Sequence, residues 1–586
     1  MKSTRIRNLI LIALILPAAI FIANPFGNFA FNDDFSYSSL ALNWARTGHI
    51  HFNGWNTSAL LLQMPLGGLV IRWFGFSFDA LRYITIVFYV GWTIILYYFL
   101  LAYDLSDEFA MFGTLAVALS PLTVPLAGSF MTDIYGCFAF YLSILAGLYA
   151  LKQSNSFRRA SWWLLFSTIV GTVGGFNRQI VWLAPLAVLM TAAFVYRKRG
   201  WLLAVVFANA LILFLSIKGI LGWLKTQPNF QFELLNLSSL LTAHAAINFI
   251  RYVVTCFLFS LPFFCAVSGG GAHALKKWKV VAAAATITAV VGFALLAITP
   301  HLPPGATGTV PSGEGPWTGS MVTVNGILVE CADMLGHRPV ILNHPVRIAA
   351  TLLCLFAPIL FLLLALDRSN VKKLRQLISS EFAIAKGLLL LLTLAGFFAL
   401  ILERATPIDR YIIQILPFLF VLVVMLNPAP AKPALGGWLA LIVFGAFAIA
   451  NTHDYAATRR ASVEALQKLE QTGVDRYQVN AGLELDGFDH LQKMDYLRVC
   501  EANPPAGGAG CSNDFTGDWK TWWFRKATFS IHGDYALSYS DLPGYERMDE
   551  LTQDFTAWIP PFHRQVLCLK RESTDSENRG ELIAPR

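Results

Sequence analysis

Apolar runs of bilayer-crossing length recur along this chain up to about residue 451, separated by short polar turns. A helix of about 20 apolar residues covers the roughly 30 Å hydrocarbon core. That criterion predicts spans near 8–25, 79–101, 109–127, 133–151, 160–175, 179–196, 201–223, 246–267, 279–299, 345–366, 383–402, 408–426 and 435–451, about thirteen in all. Beyond Asn451 the pattern changes: an amphipathic helix is expected over Ala461–Gln471, then strand-like pieces such as Tyr477–Asn480 and Gln565–Lys570. The expected organisation is therefore a transmembrane module over 1–451, with a first outer loop 26–78 and a later outer loop 300–344. A small extracytoplasmic α/β domain over 452–572 and a disordered tail over 573–586 follow.

Composition supports a polytopic α-helical membrane protein: of 586 residues, 56% are hydrophobic and only 14% charged, and the mean hydropathy is +0.55. A soluble surface does not suit these values. The net charge of +8 does not describe a nucleic-acid binder, because the basic residues are spread over short interhelical loops. Their placement orients the chain instead. Lys2/Arg5/Arg7, Lys152/Arg158/Arg159, Arg197/Lys198/Arg199, Lys276/Lys277/Lys279 and Arg368/Lys372/Lys373/Arg375 all fall on one side of the predicted spans, which assigns that side to the cytoplasm. The N-terminus is then cytoplasmic and the C-terminal domain outside, with the acidic loop Asp104/Asp107/Glu108 the exception. The first run also has the form of a signal peptide, but no good small-x-small site precedes a mature start, so an uncleaved anchor is expected. In the outer domain Cys500 and Cys511 flank the loop EANPPAGGAG and are expected to form a disulfide.

On this topology charged side chains collect at the outer face. Directly after the first span comes Asn32-Asp33-Asp34-Phe35-Ser36-Tyr37. Adjacent carboxylates there suit a general base beside a second acid that grips a hydroxyl or a metal; the plainer reading is an N-cap for the stretch Ser38–Thr47. Asp133 opens a later helix, where it too could cap. Arg178, Arg404 and Arg410 lie at the same face and suit a lipid phosphate, or snorkel to headgroups, or pair with Glu403 or Asp409.

The order of these elements resembles the GT-C glycosyltransferases of the protein-mannosyltransferase and lipid A aminoarabinose-transferase type. The resemblance rests on Asp33-Asp34, Tyr37, Gly48 and Pro65, then Phe74-Gly75 and Leu81-Arg82, Ser120-Pro121 and Asp133, and finally Arg410-Tyr411 and Pro417. It covers about the first two hundred residues by motif and the rest by topology. Two departures stand out: Asp34 replaces a Glu, and Gln63 or Met64 stands where the family has a phosphate-binding Lys. The resemblance implies a GT-C fold in a bacterial inner membrane and an inverting transfer from a polyprenyl-phosphate sugar to an acceptor hydroxyl. It casts Asp33 as base, with Asp34 and Asp133 as further catalytic candidates. Arg178, Arg404 and Arg410 would bind the donor phosphate, and Tyr37 and Tyr411 would touch substrate. The acceptor would be a lipid-anchored glycan, lipid A or protein; any divalent metal would fall to Asp33 and Asp34. The competing reading is a transporter or flippase of lipid-linked saccharides, which would place its charges near the bilayer midplane rather than at one end.

Overall fold

The structure, a computed structural model, describes residues 2–55, 57–228, 230, 243–267, 282–290, 321–323, 325–327, 334–342, 344–365, 380–402, 408–426, 432–493 and 534–572. Arg404, the pair Cys500 and Cys511, and the tail 573–586 lie outside these residues.

Helices dominate. In chain order they are α1 (Lys2–Ala23), α2 (Asp34–Thr47), α3 (Gln63–Phe74), α4 (Phe78–Ala102), α5 (Asp107–Ala118), α6 (Val124–Ala127), α7 (Thr132–Lys152), α8 (Phe157–Asn177), α9 (Leu183–Tyr196), α10 (Gly200–Leu224), α11 (Ala243–Phe259) and α12 (Leu261–Val267). They continue as α13 (His344–Ala365), α14 (Glu381–Leu402), α15 (Leu416–Leu426), α16 (Leu435–Gln471) and α17 (Leu483–Lys493). Among the described residues seven helices are long and apolar enough to cross a membrane, or up to eight if the bent pair α11–α12 is one span. The outside of the bundle is apolar: α10 exposes Phe207, Leu211, Phe214 and Leu215, as a helix bathed in lipid does. Inside, helices meet over small and hydroxylated residues. Gly147 of α7 faces Val188, Gly171 of α8 faces Pro185, and Ser143 and Ser167 each donate to the other's carbonyl (2.8 and 2.7 Å), the close approach that small residues permit between membrane helices.

Four predicted runs take a different form; one of them, 408–426, opens as a 3₁₀ segment over Asp409–Gln414 and is α-helical only over Leu416–Leu426. The run 109–127 breaks after Ala118 and resumes only as the short α6, because Pro121 disfavours helix at Ser120 and cannot donate an amide hydrogen. The run 246–267 bends by 55° at Ser260, where Pro262 near the start of α12 removes a helical hydrogen bond. The run 435–451 does not stop at its predicted end. It fuses with the amphipathic stretch 461–471 into the single 37-residue helix α16, because no proline or glycine interrupts the chain between Gly445 and Gln471. The boundary drawn at 451/452 therefore falls inside a continuous helix that ties the C-terminal α/β part to the bundle.

Beyond the bundle, the residues after α16 form an α/β part. Strands β3 (Val479–Asn480), β4 (Tyr535–Ser538), β7 (His563–Arg571) and β5 (Tyr545–Arg547) lie in that order, and β6 (Gln553–Thr556) also pairs with β7. β7 alternates apolar residues into the core, with Val566 and Cys568 fully buried. A hairpin, β1 (Val322–Thr323) and β2 (Gly326–Ile327), belongs to the predicted loop 300–344. The next segment joins the sheet through Leu335, bridged to Ser538.

Ion pairs identify the two ends of the bundle. Arg5 meets Asp107 at 2.9 Å, Arg199 meets Glu381 at 3.8 Å, and Lys386 contacts Asp104. The acidic loop that stood as the exception to the charge rule is thus neutralised by basic residues of its own end. The segment after α1 and the start of α4 belong to the other end, where Gly27 donates its amide to Asp79 (2.9 Å).

Candidate functional site

The site is built around the start of α2. Asn32 adopts a left-handed backbone, φ +53°, which asparagine tolerates better than most residues. Its amide donates to Glu484 Oε1 of α17 (2.8 Å), so the C-terminal part of the chain holds the residue next to Asp33. α2 ends at Gly48, φ +75°, whose amide caps the Trp44 carbonyl. Neither acid serves as a side-chain cap: Asp33 occupies the N-cap position and makes no side-chain cap hydrogen bond.

Asp33 and Asp34 diverge. Asp33 Oδ2 accepts from a guanidinium nitrogen of Arg410 at 2.9 Å, and its Oδ1 accepts from the Trp55 indole at 3.0 Å. Asp34 turns inward, where Oδ1 accepts from Phe31 N (2.6 Å) and Oδ2 from Phe130 N (3.1 Å). Burial pushes its carboxyl up to about 7, against the pull of the Arg82 charge and the two amide donors. Asp34 is therefore a buried staple between the first outer segment and the residues before α7. The two carboxylates do not converge on a common point, so they do not form a shared metal-ligand pair in this arrangement.

Beside Asp33 lies a second ion pair. Asp133 Oδ1, in the first turn of α7, sits 2.6 Å from Arg178, which also donates to Thr132 Oγ1 (2.9 Å). Gly136 makes room for this arginine, since a Cβ there would stand 2.9 Å from Arg178 Cδ and 3.4 Å from Gln414 Nε2. The Tyr411 ring joins the pairs, with the Arg178 guanidinium 5.3 Å and that of Arg410 6.0 Å from its centre. Tyr37, buried on α2, feels all four charges. Burial and then Asp33 push its phenol well above its usual range, opposed by Arg410 and Arg178. Its hydroxyl stays protonated and able to donate at neutral pH.

The structure thus brings together Asp33, Tyr37, Asp133, Arg178, Arg410 and Tyr411, leaves Asp34 outside the cluster and does not describe Arg404. Of the alternatives open to Arg410, the structure shows an ion pair with Asp33. Both Asp409 oxygens accept backbone amides of the hairpin segment, from Met321 (2.8 Å) and Val322 (2.9 Å). Gln63 is buried, and its side-chain amide donates to Phe130 O (2.7 Å) while its backbone amide donates to Asn177 Oδ1 (3.0 Å). Arg178 follows Asn177 directly, so a cation does reach this neighbourhood from α8.

Sequence reasoning missed Trp55, Gln414 and Glu484. For Gln414 the spacing of four from Arg410 is a signal that could have found it; Trp55 and Glu484 carry no local signal. Asp133 Oδ2 and both amide atoms of Gln414 are buried without a hydrogen-bond partner among the described residues. Each such atom costs about 1–3 kcal/mol, and their position beside Arg178 suits a polar ligand. Comparison with family models, with curated protein sequences and with solved structures finds no match for this chain.

Proposed function

We propose that this chain is an inverting glycosyltransferase of GT-C fold, with about thirteen spans, moving a sugar from a polyprenyl-phosphate donor to an acceptor hydroxyl. The reaction takes place at the outer face of a bacterial inner membrane, with the N-terminus cytoplasmic and the C-terminal domain outside. The observation that carries this reading is the paired arrangement of Asp33 with Arg410 and Asp133 with Arg178 around Tyr411 at one end of an apolar helix bundle. Carboxylates and guanidiniums within reach of lipid are what a charged headgroup on an apolar carrier needs.

The donor's tail lies between helices and its phosphate takes Arg410 and Arg178, with Arg404 the third candidate. A phosphate that engages Arg410 competes with Asp33 for the guanidinium and releases Asp33 Oδ2 to accept a proton. The acceptor oxygen then attacks the anomeric carbon as its proton passes to Asp33, and the bond from that carbon to the phosphate oxygen breaks. The electron pair leaves with the polyprenyl phosphate, whose growing charge the arginines stabilise. One displacement inverts the anomeric centre. Tyr37 donates to a sugar oxygen, Tyr411 packs against the sugar, and Asp133 and Gln414 supply the remaining polar contacts. The acceptor is a lipid-anchored glycan, lipid A or protein.

The test is direct product analysis. Purified protein in lipid, supplied with polyprenyl-phosphate sugars and envelope extract, is expected to release polyprenyl phosphate and yield one new glycoconjugate of inverted configuration. Mass spectrometry of envelope glycans from a strain lacking the protein should show the same sugar missing. An unchanged envelope together with movement of intact lipid-linked saccharide across vesicles would establish the flippase reading instead.

A further inference from the structure

A second polar site lies in the outer domain. A cavity of about 300 Å³ opens between the hairpin β1–β2, the segment 334–342, the outward part of α16 and the β6–β7 edge. Its walls are fixed to one another: Asn325 Nδ2 donates to the Arg338 and Pro339 carbonyls (3.2 and 3.3 Å), Tyr539 N donates to Leu335 O (2.9 Å), and Gly326, φ +118°, lies so close to α16 that a Cβ would stand 2.8 Å from Asn451 Oδ1.

The lining is cationic and aromatic. Arg338 and Arg564 face the cavity with His337 and His563, against Asp454, the one acid among its described lining residues. That acid is already engaged, with Oδ1 accepting Trp558 N (2.6 Å) and Oδ2 accepting Ile559 N (3.0 Å) and Arg564 (3.3 Å). Arg338 spreads over the Tyr539 ring, 4.5 Å from its centre, and lies 5.7 Å from that of Tyr455. The two guanidiniums repel: burial and the Arg338 charge both lower the Arg564 pKa, opposed by Asp454. An anion between them relieves that repulsion, and the half-buried Tyr539 places a phenol ring in the same wall, beside which a sugar ring can pack.

We propose that this cavity binds an acidic saccharide, its carboxylate or phosphate between Arg338 and Arg564 and its ring beside Tyr539. The site adjoins the candidate active site through Tyr455, whose hydroxyl donates to Glu484 Oε1, the same oxygen that accepts the Asn32 amide. The occupant is the acceptor side of the reaction; that identification rests on the transfer reading, whereas acidic-saccharide binding does not.

The test measures equilibrium binding by saturation-transfer NMR, using the full chain in nanodiscs of neutral lipid with glucuronate, glucose 1-phosphate, glucose and inorganic phosphate as probes. The two acidic sugars are expected to bind, at least tenfold more tightly than either glucose or phosphate. Arg338→Gln is expected to weaken acidic-sugar binding tenfold or more, and Arg338→Lys to recover part of it. Because Arg338→Gln could loosen the segment 334–342, His563→Glu serves as a second variant: it sets a negative charge at an exposed rim position and should weaken the same two probes. Arg197→Gln, at an exposed residue of the other end, should leave binding unchanged. Equal affinity for phosphate and glucose 1-phosphate, or acidic-sugar binding that ignores both cavity variants, would overturn the proposal. Asp33→Asn should bind the acidic sugars normally, so failure of the cavity and failure of the transfer reading are separately visible.

Discussion

Asp33 and Asp34 stand next to each other on the chain, and one helical step of about 100° turns them to different partners. Asp33 meets Arg410 and Trp55, whereas Asp34 enters the core. Asp34's carboxyl is raised to about 7 by burial, so its neutral form suits the fold better than its ionised one. The stability it contributes is fully present below its unfolded pKa of about 4 and is lost as pH rises through about 7. Thermal unfolding should therefore show a melting temperature that falls from pH 5 to pH 8, with Asp34→Asn removing part of the fall. Asp486, raised to about 6 by burial, contributes in the same direction, so the difference between the two proteins isolates the share of Asp34. An identical pH slope in both would refute it. For the arginines, Arg178→Gln and Arg410→Gln should weaken binding of a polyprenyl-phosphate sugar and slow its transfer together, because the phosphate is charged before and after departure. Normal donor affinity in both variants would move the phosphate site elsewhere. Asp33, Asp133, Arg178 and Arg410 were legible because charge is expensive near a bilayer and therefore conspicuous in an apolar sequence. Trp55 and Gln414 were not, since an indole or an amide among many gives no sign of its partner until the chain folds.

At the scale of elements, α16 and α17 decide how firmly the C-terminal α/β part holds the site. Arg459 of α16, with a side chain 0% exposed, sits 2.8 Å from Glu484 of α17, and Glu484 also receives the Asn32 amide and the Tyr455 hydroxyl. Glu484→Ala would remove one carboxylate from a buried guanidinium, and breaking such a buried pair costs about 3–5 kcal/mol. It should also loosen Asn32 and lower transfer, while Glu484→Gln should restore part of both by keeping an acceptor. Denaturant unfolding and transfer assays on the two variants check this; an alanine variant of full stability would contradict the role given to α17. Hydrophobic runs placed most helices well, because lipid demands a continuous apolar stretch wherever a helix crosses. They failed at Pro121 and Pro262, where the backbone breaks inside an apolar run, and at residue 451, where the helix continues after its solvent changes. Hydropathy measures the surroundings of a helix and not its hydrogen bonds.

At the scale of the whole molecule, the described residues gather the Asp33 cluster and the β-sheet at one end and Arg5, Asp104, Asp107 and Glu381 at the other. In intact cells a membrane-impermeant maleimide should label Asp541→Cys and spare Arg7→Cys until the membrane is opened; both positions are exposed. The reverse pattern would put the site on the cytoplasmic side. The claim that unites the scales is that this end of the molecule transfers sugar with Asp33 as the base. The most direct measurement compares single-turnover transfer and donor binding by purified wild-type protein and Asp33→Asn in lipid. Asparagine keeps an oxygen for the Trp55 indole but cannot take the acceptor's proton at neutral pH. The account predicts a rate lower by a factor of about 10²–10⁴ with the donor still bound and the fold intact; transfer at the wild-type rate by Asp33→Asn would contradict it.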